Sequence, residues 1–283
     1  MVGFVNVYKR RGDTSAFVVN RIKKIFGCKC GHMGTLDPLA CGVLPVALGQ
    51  SSRLFDYLLD KEKIYIAKFD FSYTTPSLDL ETEKTFFSDR TVSYDEIEKV
   101  LPRFIGEIMQ VPPDYSAKCV DGHKAYKLAR RGEKPDLKAK KVFIKDIRVL
   151  DKTGDNEYSF EITCKGGTYI RSLCRDIAES LGVFGVMTSL ERIKSGIFTT
   201  ENAITLNDIA KREDLSSLVI PPDSAIDYEK VYLSDETATR VLNGLTDNVD
   251  IEDGLYRAYA FGSFLGVLKA ENGALKVTYV RDI

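Results

Sequence analysis

The sequence predicts an α+β fold followed by a small β-rich domain, and three observations support this. Residues 63–71 alternate in polarity and are rich in aromatic and β-branched side chains, which is typical of a strand. Residues 169–181 carry apolar side chains at helical spacing, and Gly182 follows as a stop signal. From Tyr256 onwards, three short strand-like runs are separated by turn residues.

The N-terminal region begins with a predicted strand over residues 4–8. A helix is expected next, with Ser15 as its N-cap and Gly27 as its stop. Its polar face is basic, and its apolar residues recur at helical spacing. These apolar residues are Phe17, Val18, Ile22, Ile25 and Phe26. A loop around Asp37 and a turn-rich apolar run up to Gly49 follow.

The middle of the chain contains further elements. Ser93 and Glu96 form a predicted capping box at the start of a helix. Residues 142–150 and 158–164 are predicted strands on either side of a turn at Gly154. In the helix 169–181, the side chains expected to face inward are Ile170, Leu173, Ile177 and Leu181.

Pro221-Pro222 is a candidate linker before the β-rich end of the chain. The predicted strands after it are residues 256–261, 264–270 and 275–281. Glu271-Asn272-Gly273 is a suitable hairpin turn between the last two strands.

Composition places the chain among ordinary globular proteins, with 283 residues, 44% apolar and 29% charged. No apolar run is long enough to span a bilayer, and the first residues lack the pattern of a signal peptide. We therefore expect a cytoplasmic protein that does not bind membranes. The six cysteines lack a regular disulfide spacing, which favours reduced thiols.

The net charge of −1 hides a strong segregation of charge. Residues 1–31 contain seven Lys or Arg and one acid, and residues 118–148 contain eleven and four. Residues 201–260, in contrast, contain five Lys or Arg and thirteen acids. For either basic tract alone, a solvated surface is the simpler interpretation. Two such tracts near the Asp37 loop favour a polyanion such as nucleic acid, bound on one side.

Residues 110–141 form a long, basic segment that contains tyrosines and is interrupted by proline and glycine. This composition predicts a mobile loop with a short helix that folds over a ligand. An ordinary basic connection is the alternative.

Asp37 is the strongest candidate for chemistry. It is surrounded by glycines that allow close backbone approach, and Pro38 fixes the chain direction directly after it. An aspartate in this setting could be a nucleophile, a base or a metal ligand, and the simpler alternative is a turn former or helix cap. Cys28, Cys30 and His32 resemble half of a zinc site, but the second ligand pair is missing.

A second motif, residues 165–173, joins a predicted strand to a predicted helix. Two glycines allow a ligand to approach, and Tyr169 and Arg171 could face one pocket. Arginine pairs with carboxylates or phosphates, and tyrosine stacks on bases. An ordinary surface arginine at a strand–helix corner is the alternative. Tyr65 has the opposite parity to Ile64 and Ile66, so it could face a cleft, although packing is the simpler role.

These motifs together resemble the TruB family of tRNA pseudouridine synthases. The resemblance runs from about Gly3 to Asp227. The segments that carry it are Lys9 with residues 13–15, then residues 31–45, 63–65, 110–113, 116–130, 167–173, 190–192 and 195–198. Two segments depart from the family pattern. Ser51-Ser52-Arg53 stands where the family usually has Ala-Thr-Lys, although Arg53 keeps the positive charge. In residues 75–79, Pro76 stands where the family usually has an acid.

The resemblance implies a fold and a domain division. The expected fold is a mixed, mainly antiparallel sheet core with flanking helices, the pseudouridine synthase fold, plus a small PUA-like C-terminal domain. It implies a catalytic domain over residues 1–225, with an RNA-clamping thumb at about 110–141. Residues 226–283 would then form the PUA-like domain.

The resemblance also implies roles for individual residues. Asp37 would be the nucleophile, and Arg171 would form a salt bridge to it. Tyr65 would stack on the flipped uracil, Tyr169 and Leu190 would line the pocket, and Lys9 would support the site. The residues implied to bind RNA are His32, Arg53, Lys118, Lys124, Tyr126 and Arg130.

The activity implied is the isomerisation of uridine to pseudouridine at position 55 in the T-loop of tRNAs. The base would be flipped out, and Asp37 would attack either the ribose or the uracil ring. The reaction needs no metal or cofactor, and the partner would be the tRNA T-stem-loop. The family further implies a monomer without an obligate protein partner.

Two other functions are compatible with parts of the sequence. A tRNA-binding or folding module would explain the basic tracts and tyrosines, but it would not require Asp37 together with Arg171. A retaining glycosidase that acts on a nucleoside would need a second carboxylate as its acid, and no segment offers an obvious one.

Overall fold

The computed structural model describes residues 1–59, 61–120, 122–245 and 251–279 of the chain. In the first half, the strands are β1 (Gly3–Lys9), β2 (Cys30–His32), β3 (Cys41–Leu48), β4 (Lys63–Asp70), β5 (Tyr73–Thr74), β6 (Phe86–Phe87), β7 (Gly106–Gln110), β8 (Cys119–Val120) and β9 (His123–Lys124). In the second half, they are β10 (Lys140–Lys152), β11 (Glu157–Cys164), β12 (Val186–Ser195), β13 (Phe198–Thr199), β14 (Ile204–Thr205), β15 (Glu229–Tyr232), β16 (Gly254–Ala260), β17 (Ser263–Glu271) and β18 (Ala274–Tyr279). The α-helices are α1 (Ser15–Phe26), α2 (Phe55–Leu59), α3 (Tyr94–Val100), α4 (Ala125–Arg130), α5 (Ile170–Leu181), α6 (Leu206–Ile209) and α7 (Asp235–Leu242).

A large mixed sheet forms the centre of the molecule. Its strand order is β14-β1-β3-β12-β4-β11-β10-β7, with β2 also paired to β3 and β13 to β12. The pairs β1–β14 and β3–β12 are parallel, and the other pairs in this sheet are antiparallel. The predicted α+β architecture with a mainly antiparallel sheet is therefore confirmed.

Helix α1 begins one residue earlier than its predicted cap implied. Thr14 is the N-cap, since its side chain accepts a hydrogen bond from the Phe17 backbone N–H, and Ser15 is the first helical residue. Val18 and Ile22 are buried as expected, but Phe17 is 45% exposed, so it does not belong to the core face. Gly27 ends the helix in the left-handed conformation, with φ of 64°, as predicted.

The run between residues 41 and 48 was predicted as turn-rich, and this prediction was wrong because the segment is the central strand β3. Gly42 and Pro45 suggest a turn, yet both lie within the strand. The strand is buried on both faces, so its sequence shows no alternation. Leu44 packs into the main core, and Val43 packs into a second core on the opposite face of the sheet.

Other predicted elements of the sheet and its helices are confirmed. Strands β10 and β11 pair antiparallel, and the capping box of Ser93 and Glu96 starts α3. In α5, the four apolar side chains predicted to face inward are buried, and Gly182 ends the helix. The long basic segment contains the β8–β9 hairpin followed by α4.

A smaller sheet of order β15-β16-β17-β18 forms the C-terminal end. The turn between β17 and β18 has positive φ at Asn272 and Gly273, as expected of an Asn-Gly hairpin. The last strand was predicted to reach residue 281, and residues 280 and 281 lie outside the described residues. Val267 of this sheet packs with Phe4 and Ile226 in the second core, which joins the two sheets.

The predicted linker at Pro221-Pro222 leads into a 3₁₀ turn, Pro222–Ala225. The Tyr259 hydroxyl donates a hydrogen bond to the Asp223 carboxylate at 2.9 Å, which ties this turn to the smaller sheet. None of the helices in the described parts of the chain is long and apolar enough to cross a membrane.

Candidate active site

The loop that carries Asp37 connects β2 to β3, and contacts on both sides hold it. The Ser15 hydroxyl donates to the Leu36 carbonyl at 2.8 Å and accepts from the Leu36 N–H at 2.9 Å. The Gly12 N–H donates to the Pro38 carbonyl at 2.7 Å, and a turn joins the Ala40 N–H to the Asp37 carbonyl. These contacts fix the backbone around a side chain that stays one-third exposed.

Arg171 lies opposite Asp37, at the start of α5. Its Nη2 is 2.9 Å from the Asp37 Oδ2, and its side chain is only 4% exposed. The guanidinium also donates to the carbonyls of Ser77 and Tyr115, at 2.9 and 3.1 Å. A planar guanidinium held by fixed carbonyls defines where the Asp37 carboxylate can lie.

A second carboxylate, Asp79, also contacts Arg171. Its Oδ2 is 3.5 Å from Arg171 Nη1, and its side chain is 3% exposed. Its Oδ1 accepts the Glu81 N–H at 2.9 Å. Leu78 beside it adopts φ of 60°, an uncommon conformation for a leucine, within a turn whose Thr75 hydroxyl donates to the Asp79 carbonyl.

Asp79 is therefore the carboxylate that the sequence analysis did not assign. Asp79 is the last residue of segment 75–79, in which Pro76 departs from the family pattern. An acid at this position was the feature of the sequence that could have identified it. Because Asp79 is almost fully buried and bonded to Arg171, it is placed to hold the arginine. It is not placed as an exposed acid, so the structure gives no support to a glycosidase.

The electrostatics of Asp37 combine two opposing effects. Burial raises the pKa of its carboxyl above the ordinary value, and the negative charge of Asp79 acts in the same direction. The Arg171 guanidinium lowers that pKa through its charge and its hydrogen bond. The carboxylate is consequently more basic than one in water, yet it is held by a strong donor.

Asp37 and Arg171 open into a cavity of about 250 Å³. Tyr65, Tyr169 and Leu190, which were predicted to lie at the site, line it together with them. Further walls come from residues to which the sequence analysis gave no individual role in the pocket, namely Phe55, Lys63, Ser116, Ala117, Lys165 and Arg192. An apolar and aromatic pocket with one carboxylate and several cations suits a flat, polar ring.

Tyr65 both packs in the core and faces a cleft, the two positions that its parity in the strand left open. It points to the buried face of β4, where it is 7% exposed and belongs to the main core, and it also lines the cavity. Burial raises the pKa of its hydroxyl, and the positive charge of Arg192 opposes this rise. Tyr169 caps the start of α5, where its N–H donates to the Gln110 side-chain oxygen at 2.8 Å.

Lys9 lies near the loop but does not line the cavity. Its buried ammonium donates to the carbonyls of Arg10 and Asp13, at 3.1 and 2.7 Å. Burial lowers its pKa to about 8, and the charges of Asp13 and Asp37 oppose this effect. Its contacts hold the segment before α1, next to the Asp37 loop.

The predicted RNA-binding residues lie outside the cavity wall. His32 is half-buried on β2, where burial and the charge of Arg192 lower its pKa. Arg53 is exposed on a 3₁₀ turn, two residues before Phe55 of the cavity wall. The other four lie on or beside the β8–β9 hairpin and α4, and they are Lys118, Lys124, Tyr126 and Arg130.

This hairpin–helix segment is joined directly to the cavity. Ser116 and Ala117 line the cavity, and the Tyr126 N–H donates to the Ser116 carbonyl at 3.0 Å. Arg130 pairs with Glu81 and lies 5.5 Å from the centre of the Tyr126 ring. The segment thus places exposed cations at the rim of the pocket.

Cys28 and Cys30 were considered as half of a zinc site, and their sulfurs are 4.0 Å apart. Burial raises the pKa of the Cys30 thiol to about 12. Within the described ranges, no group of three or more His, Cys, Asp or Glu side chains is placed to hold a metal ion.

Solved structures share this fold across almost the whole chain. A crystal structure of a Cbf5-Nop10-Gar1 complex matches with a TM-score of 0.74 at 28% identity, covering 98% of this chain and 84% of that chain. An H/ACA RNP bound to a substrate RNA containing 2′-deoxyuridine matches with a TM-score of 0.73 at 27% identity, with the same coverage.

Sequence comparisons give the same result. Residues 22–170 match the TruB family pseudouridylate synthase N-terminal domain, and residues 171–227 match the tRNA pseudouridylate synthase B C-terminal domain. The tRNA pseudouridine synthase B of Clostridium novyi is 41% identical, with 98% of each chain covered. That of Ruegeria pomeroyi is 38% identical, with 93% of this chain and 89% of the relative covered.

The fold and the cavity therefore define a pseudouridine synthase. Within that class, the chain belongs to the TruB family.

Proposed function

We propose that this protein isomerises uridine to pseudouridine at position 55 in the T-loop of tRNAs, with Asp37 as the nucleophile. The observation that carries the proposal is the Asp37–Arg171 pair, 2.9 Å apart, in a cavity lined by Tyr65, Tyr169 and Leu190. Curated relatives that match nearly the whole chain are named tRNA pseudouridine synthase B, which supports tRNA as the substrate.

The cavity explains why the base must leave its helix or loop. Asp37 is only one-third exposed at the bottom of a pocket, so a stacked uridine cannot reach it. A flipped base would enter between Tyr65 and Tyr169, with Leu190 against its ring. Aromatic faces hold a base by stacking, and the cost of flipping is a few kcal/mol, or about the value of two such contacts.

Asp37 then attacks the ribose or the uracil ring, and the glycosidic bond breaks. The uracil rotates and rejoins the ribose through C5, C5 loses its proton to solvent, N1 takes up a proton, and Asp37 is released. Arg171 keeps the carboxylate oriented, and the raised basicity of a buried carboxyl favours attack. These steps need only the side chains of the cavity and the substrate.

The surface around the cavity supports RNA as the substrate class. The exposed cations of the hairpin–helix segment, Lys124 and Arg130 among them, would contact phosphates, and Tyr126 would contact a base or sugar. We further propose that residues 1–225 form the catalytic domain and 226–283 a PUA-like domain. The protein would act in the cytoplasm as a monomer without an obligate protein partner.

Replacement of Asp37 by Asn tests the nucleophile. The assay measures tritium release from tRNA labelled at uridine C5, together with tRNA binding by the same variant. We expect Asp37→Asn to release no tritium above background and to bind tRNA with an affinity within about 3-fold of the wild type, since an amide keeps the shape but is a poor nucleophile.

A matched control replaces Asp146, an exposed aspartate on β10, by Asn. It should release tritium at the wild-type rate. Undiminished release by Asp37→Asn would disprove the role of Asp37, and a wild type without release would disprove the activity itself. Mapping the product in a T-loop RNA with uridine only at position 55 tests the site.

A further inference from the structure

Arg192 is the most deeply buried cation in the cavity wall, with an exposed fraction of 1%. It lies on β12 between two neighbours in the sheet. Gly42 of β3 is its partner on one side, and Tyr65 of β4 is its partner on the other. Arg192 therefore stands between the strand that follows the Asp37 loop and the strand that carries the stacking tyrosine.

The guanidinium of Arg192 bonds to both ends of the Asp37 loop. Its Nε donates to the Val43 carbonyl at 2.8 Å, and its Nη2 donates to the Gly34 carbonyl at 3.0 Å. Tyr65, the neighbour of Arg192 in the sheet, lines the same cavity, and the charge of Arg192 acts on its hydroxyl. One rigid fork thus contacts the loop before Asp37 and the strand after it, beside the phenol that faces the cavity.

The backbone of Arg192 is also fitted closely against the loop. A Cβ built on Gly42 would lie 2.3 Å from the Arg192 carbonyl oxygen, and Gly42 has φ of 99°. Glycine is therefore required at that position, because a side chain would force β3 away from β12. This close approach brings the Val43 carbonyl within reach of the guanidinium.

The charge of Arg171 is neutralised by two carboxylates, those of Asp37 and Asp79, and the charge of Arg192 is not neutralised in this way. Across the part of the chain that the structure describes, no carboxylate lies within ion-pair distance of Arg192, and its hydrogen bonds go to neutral carbonyl oxygens. A buried cation without a carboxylate is costly, so its hydrogen bonds must be well satisfied. A merely structural position would be filled at lower cost by an apolar side chain.

We propose that Arg192 is a positioning residue, which holds the Asp37 loop and the Tyr65 ring in a fixed relation across the cavity. It acts on the reaction through these two residues and sets the distance between the nucleophile and the stacked base. The inference rests on the proposed isomerase activity. It predicts that the chemical step depends on the forked shape of the arginine as well as on its charge.

The test compares Arg192→Lys, which keeps the charge and loses the fork, with the wild type. Single-turnover isomerisation is measured with enzyme in excess over tRNA, beside tRNA affinity and thermal unfolding. We expect the single-turnover rate to fall about 100-fold, because misplacement of reacting groups by about 1 Å has costs of this size. The affinity for tRNA should stay within about 3-fold.

Arg175→Lys is the matched control, since Arg175 also donates to a backbone carbonyl, that of Val111, but does not line the cavity. Its single-turnover rate should equal that of the wild type. Equal losses in both variants, or a wild-type rate in Arg192→Lys, would overturn the proposal. A wild type that forms no pseudouridine would instead refute the proposed activity.

A second variant, Tyr65→Phe, covers the case in which Arg192→Lys fails to fold. It removes only the hydroxyl that lies beside Arg192 and keeps the ring. We expect a lower single-turnover rate at unchanged tRNA affinity. Where Arg192→Lys folds, the double variant should be less impaired than the product of the two single effects. A wild-type rate in Tyr65→Phe, or fully multiplicative effects, would overturn the link between Arg192 and Tyr65.

Discussion

The inner wall of the cavity and the hairpin–helix segment at its rim carry positive charge in opposite ways. In the wall, Arg171 and Arg192 are buried, and each donates to two backbone carbonyls. At the rim, Lys124 and Arg130 are exposed on short elements, and the ion pair of Arg130 with Glu81 is solvated. We infer that the cations of the wall fix the geometry of the site and that the cations of the rim contact a charged partner.

This difference predicts how substitutions divide between the two regions. A buried ion pair costs several kcal/mol to break, because the remaining charge loses its partner in a low dielectric. An exposed cation costs little stability when it is removed, but each phosphate contact that it makes adds to RNA affinity. Changes in the wall should therefore affect chemistry and folding, and changes at the rim should affect binding and its salt dependence.

The largest effect is expected from Arg171→Met. This change leaves Asp79, which is 3% exposed, without its cation and frees the Asp37 carboxylate. We expect tritium release to fall below detection and the free energy of unfolding to fall by about 3–5 kcal/mol. Urea denaturation and the release assay measure both quantities.

Arg175→Met, one turn further along α5, is the control for the loss of an arginine from this helix. It should keep wild-type release and lose far less stability. If Arg171→Met retained release, the wall would not be organised around this arginine, and the comparison with the rim would fail.

The pH dependence of the reaction sharpens the account of the wall. As the proposed nucleophile, Asp37 must be ionised, and burial raises its pKa above the ordinary value for an aspartate. The single-turnover rate should therefore be full above that pKa and fall about tenfold per pH unit below it. The fall should begin at a higher pH than for an ordinary aspartate, and single-turnover rates at saturating enzyme measure it.

A second variant checks that this acid limb belongs to Asp37. Arg171 lowers the pKa of Asp37, so Arg171→Lys, with its weaker hydrogen bonding, should move the limb to higher pH. A limb at or below the ordinary aspartate range, or one that Arg171→Lys leaves unchanged, would contradict the electrostatic account of the site.

The sequence predicted the parts of the site that local motifs define. Asp37 in its glycine-rich loop and Arg171 at a strand–helix junction are recognisable from neighbours in the chain. Helix α5 was predicted to its last turn because one face is apolar and Gly182 follows it. The resemblance to the TruB family then assigned roles to residues such as Tyr65, whose parity alone left two interpretations.

What the sequence missed depends on contacts between distant segments. Strands β3 and β12 lack a simple alternation, and Gly42 serves a close approach to Arg192 that no local pattern reveals. Asp79 and Arg192 gain their roles from partners far along the chain, since Asp79 contacts Arg171 and Arg192 bonds the Gly34 carbonyl across 158 residues. The spacing of apolar residues in the sequence indicates which side chains are buried, but it does not indicate which groups they contact.

The smallest effect is expected at the rim, from Lys124→Ala. This residue is exposed on β9, so its removal should leave the free energy of unfolding within about 0.5 kcal/mol of the wild type. If Lys124 contacts a phosphate, tRNA affinity should weaken modestly. The slope of log affinity against log salt concentration should fall by about 0.7 to 1, because one counterion fewer is released.

The control is Lys99→Ala, an exposed lysine on α3 that follows Asp95, Glu96 and Glu98 in the sequence. It should change neither the affinity nor the salt slope. The single-turnover rate of Lys124→Ala at saturating enzyme should equal that of the wild type, because the rim acts before the base enters the cavity. A slower chemical step with an unchanged salt slope would show that Lys124 acts on the chemistry, as the residues of the cavity wall are expected to do. It would remove the distinction between the two regions.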